Sequence, residues 1–143
     1  MLAAMTRQPQ PSDADLILKL YDLRRETVMR QARAWMGGFL PKSFDELKKV
    51  LAPDHPQNAF YRQVTSYWEM VGSFVNRGVL HPDMYADSCG EALFVYARLE
   101  PYLKELRASY SPTSMLQTER CIADHASIRD RWNIIRERVW GKR

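Results

Sequence analysis

Apolar residues in the stretch 59–80, AFYRQVTSYWEMVGSFVNRGVL, recur at alternating four- and three-residue steps: Phe60, Val64, Tyr67, Val71 and Phe74. Tyr61, Trp68 and Val75 widen that stripe until the helix is apolar on well over one side. Such a helix is expected to lie between neighbours rather than on the surface. Gly72 would let another backbone come close, and Gly78, after Asn76 and Arg77, would supply the left-handed residue that closes the helix.

The same periodicity organises the rest of the chain around that helix. Ser12-Asp13-Ala14-Asp15 reads as a capping sequence opening one long helix to about Met36, with Leu16, Leu20, Leu23 and Thr27 on one stripe. Ile17, Tyr21, Val28, Ala32 and Trp35 form an adjacent stripe, and Gly37-Gly38 stops the helix. Ser43 and Glu46, at capping-box spacing, start a short segment with Phe44, Leu47, Val50 and Leu51 on one face. Pro82 and Asp83 open another short helix, interrupted by Gly90. Ser88 and Glu91 predict a cap for the helix through Ala92, Val95, Tyr96, Leu99, Leu103 and Leu106, kinked near 97–100 by Pro101. After Ser111-Pro112 a last helix is expected to run through Ile122, His125, Ile128, Trp132, Ile135 and Val139.

No period-two alternation and no Asn-Gly or Asp-Gly turn competes with these helices. The expected fold is all-α: an antiparallel bundle of about four long helices and two short ones, with residues 1–11 a flexible arm and 12–143 a single domain. At 143 residues and 45% apolar content the chain is able to bury a core without staples. Cys89 and Cys121 have no metal-ligand spacing and read as reduced core residues of a cytoplasmic protein. The first residues lack the pattern of a signal peptide, and no run is long enough for a membrane anchor.

The net charge of +4 belongs to one terminus. Residues 128–143 hold Arg129, Arg131, Arg136, Arg138, Lys142 and Arg143 against Asp130 and Glu137, while the preceding 127 residues balance at fifteen of each sign. Basic side chains at a helix C-terminus suit the negative pole of its dipole without any ligand. A phosphate-binding patch is the alternative reading.

Catalytic and metal motifs are absent from the sequence. No Glu-x-x-His pair, nucleophile elbow or phosphate loop occurs, and His55, His81 and His125 are scattered, so neither cofactor nor metal is expected. Glu69 stands out because it lies between Trp68 and Met70 on the covered helix. A half-buried carboxylate needs a partner, and Arg24 or Arg25 is the expected one, forming a buried polar cluster that docks two helices. A ligand or enzymatic pocket lined by Tyr67, Trp68 and Glu69 is the alternative. Trp35, Trp68, Trp132 and Trp140 all fall at helical spacing; Trp132 and above all Trp140, with little chain left to cover it, are the candidate interface.

The segments LYDLRRETVMRQARAW, YRQVTSYWEMVGSFVNRGVLHPDMY and GEALFVYARLEPYLKELR resemble short bacterial helical proteins grouped as a domain of unknown function. The resemblance spans roughly 14–110 and rests on Glu69, on Gly78-Val79-Leu80 with Asp83, and on Pro101. It implies an all-helical fold and no assigned activity; some relatives carry a membrane segment that these residues lack. The expected function is non-enzymatic, through self-association as a homodimer or binding of another protein. Nucleic-acid association through the basic terminus is the second expectation.

Overall fold

The computed structural model describes residues 7–142 and is all-helical, with no strand among the described residues. The helices are α1 (Pro11–Arg24), α2 (Thr27–Gly38), α3 (Phe44–Leu51), α4 (Asn58–Asn76), α5 (Pro82–Ser88), α6 (Gly90–Leu99), α7 (Leu103–Ser109), α8 (Leu116–Asp124) and α9 (Ala126–Trp140), with a 3-10 turn at Glu100–Tyr102.

Helix α4 lies between α2 and α8, with α3 across its start. Its buried line is Tyr61, Val64, Trp68, Val71, Gly72 and Val75, so the residues that widened the predicted stripe are its centre, and Phe60, Tyr67 and Phe74 are its half-buried edge. The helix closes as expected: Gly78 adopts φ 74°, its N–H donates to the Val75 carbonyl at 3.0 Å, and Val79 N–H donates to the Phe74 carbonyl at 2.8 Å. These are the two bonds of a Schellman motif. Helix α6 is buried more completely still, with Ala92, Leu93, Val95, Tyr96, Ala97 and Leu99 all inside, covered chiefly by α9.

Three of the helices expected to be long are broken. The first divides at Arg25 and Glu26, because the Glu26 carboxylate accepts N–H bonds from Val28 at 3.1 Å and Met29 at 2.8 Å and so starts α2. Glutamate is not among the favoured capping residues, and the apolar period passes through the break unaltered. Pro101 does interrupt the helix it sits in, through the 3-10 turn at Glu100–Tyr102. The last helix divides at His125, whose backbone is extended (φ −129°, ψ 116°), and Arg129 donates to the freed carbonyls of Ile122 at 3.2 Å and Ala123 at 2.6 Å.

Caps differ from expectation as well. Ser43 accepts the Glu46 N–H at 3.2 Å, but Glu46 reaches the Lys42 N–H and not that of Ser43. Ser88 and Glu91 form no capping box: the Ser88 carbonyl accepts from Tyr21, and Glu91 pairs with Arg33. Helix α1 begins at Pro11 rather than after Ser12, with the Asp13 carboxylate accepting the Gln10 N–H at 2.7 Å. Of the predicted arm, residues 1–6 lie outside the described residues, and Arg7 is bound to Asp13.

Candidate functional site

Glu69 sits on the side of α4 that faces α8. Its Oε1 accepts the Gln117 N–H at 2.9 Å, and its Oε2 accepts the Thr118 N–H at 3.0 Å and the Thr118 hydroxyl at 2.7 Å. Helix α8 opens from Met115, whose backbone is left-handed (φ 55°) and whose side chain makes no capping bond. A carboxylate from another helix therefore satisfies the first free amides of α8, where the positive pole of its dipole favours negative charge. The docking continues along the same line of α4. A Cβ on Gly72 would stand 3.3 Å from that of Gln117, Cys121 donates to the Gly72 carbonyl at 3.3 Å, and Asn76 donates to the Gln117 carbonyl at 2.9 Å. Gly72 is thus the close approach that the sequence suggests, and α8 is the neighbour.

No ion pair joins Glu69 to Arg24 or Arg25 among the described residues. The two sides of the predicted cluster lie apart: Glu69 faces α8, Arg25 is exposed at the α1–α2 break, and Arg24 is buried beneath Tyr21. An open groove of roughly 800 Å³ runs from Glu69 between the start of α4 and residues 110–117, lined among others by Arg62, Ser66, Tyr110 and Ser114. Tyr67 and Trp68 are not part of it. The Tyr67 hydroxyl donates to the Leu20 carbonyl at 2.5 Å, and the Trp68 ring is fully buried.

Arg24, the last residue of α1, is 5% exposed. Its guanidinium carbon lies 3.7 Å from the Tyr21 ring centre and 5.1 Å from that of Trp68. Beside it Arg33 donates two-pronged to Glu91, at 2.9 Å from Nε and 2.7 Å from its terminal nitrogen. Arg24 Nε and Trp68 Nε1 are buried without a hydrogen-bond partner among the described residues. Burial pushes the nearby Cys89 thiol up to about 12, with Arg24 acting in the opposite direction, and burial likewise pushes Cys121 up to about 12. Neither thiol is a nucleophile at neutral pH.

A second polar centre pins the start of the described chain. The buried Asp13 carboxylate accepts from Arg7 at 2.7 and 2.6 Å, from Gln10 N–H at 2.7 Å and from His81 N–H at 2.9 Å. The Arg7 side chain first, then these amides, hold Asp13 well below the usual carboxylate range against the opposing effect of burial. His81 Nε2 lies 2.6 Å from the Arg7 carbonyl, which only accepts, so the proton is on Nε2; Nδ1 accepts the Asp83 N–H at 3.1 Å and caps α5. Nothing in the sequence signals Arg7, because its partner is six residues away and already reads as a cap. Among the described residues no group of three or more His, Cys, Asp or Glu side chains is placed to hold a metal ion.

The predicted interface tryptophans turn inward. Trp132 is 7% exposed and packs edge-on against Tyr96 at 4.9 Å, while the half-buried Trp140 donates from Nε1 to the Ala97 carbonyl at 2.7 Å. α9 folds back along α6 and covers its own end. Of the basic residues, Arg129 is engaged with α8, Arg131 lies close over Gly90, and Arg136 is half-buried. Arg138 and Lys142 are exposed, and Arg143 lies outside the described residues. Large apolar side chains are exposed on α1 and the start of α2, at Leu18 67%, Leu23 57%, Tyr21 46% and Val28 46%, and singly elsewhere at Met70, Val79, Tyr110 and Ile134.

The chain belongs to the family described as a domain of unknown function (DUF4760), whose profile matches residues 9–125. That match extends at both ends beyond the segments that carry the resemblance. No curated protein and no solved structure matches the chain.

Proposed function

We propose that this member of the DUF4760 family is a non-enzymatic interaction protein that self-associates through α1. The observation that carries the reading is the exposure of Leu18, Tyr21 and Leu23 on one helix, with Val28 just beyond it. Ile17 and Leu20 already anchor α1 to the core, so the exposed residues are surplus to folding. Exposed apolar side chains mark a contact surface where they gather into a contiguous patch. The flank bearing Leu18 and Tyr21 also carries Asp15 toward its start, and Asp22 and Arg25 at its end. Two copies of that flank running antiparallel set Asp15 of one beside Arg25 of the other, the self-complementarity that a two-fold interface requires. Fourteen residues of helix give a strip only about 21 Å long, which places the dimer among weak interfaces, with dissociation on the order of micromolar. The two buried, unpaired thiols support a reducing compartment such as the bacterial cytoplasm for this role.

Light scattering across protein concentration tests the reading. The expected mass rises toward that of a dimer, survives high salt, and returns to that of a monomer in the double variant Leu18→Glu, Leu23→Glu. A wild-type chain monomeric at every concentration would overturn it.

The groove beside Glu69 favours a second reading, a small polar ligand held between Tyr110 and the first turns of α4. A thermal-shift screen tests this, because a ligand that prefers the folded chain raises its melting temperature. An empty screen would leave the groove a surface feature of the α4–α8 contact.

A further inference from the structure

We infer that Arg24 and Trp68 form a binding site for a single carboxylate, which they hold as donors, covered by the ring of Tyr21. Arg24 is buried to 5% exposure at the end of α1, yet no acidic side chain lies within ion-pair distance of it among the described residues. The carboxylate of the neighbouring pair, Glu91, is committed to Arg33, and Glu69, the partner expected from the sequence, is committed to the amides of α8. Two buried donors, Arg24 Nε and Trp68 Nε1, have no acceptor among the described residues, and the guanidinium carbon lies 5.1 Å from the Trp68 ring centre. A buried cation without a counterion is costly, and contact with two aromatic rings offsets only part of that cost.

The chemistry selects the ligand class. Arg33 is neutralised by Glu91, so one positive charge remains, matching a monoanion. A dianionic phosphate would leave excess negative charge beside Glu91. Two donors on different side chains suit the two oxygens of a carboxylate, and the guanidinium fork favours the same planar group. Access runs through Tyr21. Its ring is 46% exposed and lies 3.7 Å from the guanidinium carbon, and its hydroxyl is held by one long bond of 3.3 Å to the Ser88 carbonyl. A rotation about its side-chain bonds uncovers Arg24 without moving the backbone. The carboxylate has two possible sources, a free small acid or the exposed Asp15 or Asp22 of a second copy.

Melting of the full chain at constant ionic strength tests the site, with sodium acetate as the probe, sodium chloride as the control, and two protein concentrations. If the acid is free, acetate at ten times its dissociation constant is expected to raise the melting temperature by about 3–5 °C over chloride. Arg24→Met is expected to abolish that rise, and Tyr21→Ala to bring it on at lower acetate. If the acid comes from a second copy, the melting temperature rises with protein concentration instead, and Arg24→Met or the double change Asp15→Asn, Asp22→Asn removes the rise. A dimer indifferent to those changes overturns the site while leaving self-association standing. Wild-type melting unmoved by acetate and by concentration also overturns it, as does an acetate response that persists in Arg24→Met. If Arg24→Met does not fold, Tyr21→Ala decides: an acetate response no stronger than wild type rules the site out.

Discussion

Replacing Glu69 by Gln keeps the shape of the side chain and removes its charge. In the native structure the carboxylate accepts three bonds, from the amides of Gln117 and Thr118 and from the Thr118 hydroxyl, at 2.9, 3.0 and 2.7 Å. The amide oxygen of glutamine is able to keep the two Thr118 bonds, but its NH2 then meets the Gln117 N–H, donor against donor. That leaves one amide orphaned, at about 1–3 kcal/mol, and removes a charge at a helix N-terminus worth roughly 0.3–1 kcal/mol. Weakening of the two remaining bonds from charged to neutral adds to this, so the expected loss is about 2–3 kcal/mol. For a chain of 143 residues this lowers the melting temperature by roughly 6–12 °C. Circular dichroism melts of Glu69→Gln, Thr118→Val and the double variant measure it. The cycle is expected to give a coupling of about 1 kcal/mol between the two residues. A Glu69→Gln melt within a degree of wild type, or strict additivity with Thr118→Val, would refute the account of Glu69 as the remote cap of α8.

Three other consequences are open to simple assays. Asp13 is held below its ordinary value of 3.8, so the stability it contributes is complete above that pH and is lost as pH falls further. Asp13→Asn should therefore cost about 2 kcal/mol at neutral pH, and its difference from wild type should narrow in urea melts between pH 4 and pH 2; a constant gap would refute it. Trp140→Phe should lose about 1 kcal/mol with the bond to the Ala97 carbonyl and leave the solution mass unchanged, whereas a subunit contact at Trp140 would alter the mass. Cys89 and Cys121, 2% and 0% exposed, should react with a thiol reagent only after denaturant is added, and fast labelling of the native chain would contradict their placement.

Side chains that act within their own segment were legible in the sequence. Gly78 closes α4, Pro82 opens α5, Ser43 caps α3 and Pro101 interrupts its helix, each through a bond or a clash within a few residues. The apolar period also located the buried core, including Trp68, Val71, Leu106 and Ile128. Helix breaks at Arg25–Glu26 and at His125 were illegible for a common reason. The apolar period survives on both sides of each break, and what stops the helix is a polar side chain not specialised for that task, Glu26 in one case and Arg129 in the other. Glu69 is the same problem at longer range. Its burial is readable from Trp68 and Val71, but its partners are backbone amides 48 and 49 positions away, which no residue type announces.

That difference bears on where a contact surface should be sought. Aromatic content alone points to Trp132 and Trp140, because large apolar side chains near a terminus have little chain to cover them. The break at His125 changes the direction of the chain and brings α9 back along α6, so both rings find cover within the fold. Helix α1 has the opposite history. It ends early at Arg24, and each of the two apolar stripes read along a single longer helix is split: Leu20 and Ile17 face inward, while Leu23 and Tyr21 are left outside. A helix break set by one carboxylate thus decides which apolar residues remain available, and it strands the cation of Arg24 beneath the same surface. Anything that restores a continuous helix across Arg25 and Glu26, such as Glu26→Ala, should weaken both features together. If self-association persisted unchanged in that variant after a demonstrated gain in helicity, the surface responsible would have to lie elsewhere than on α1.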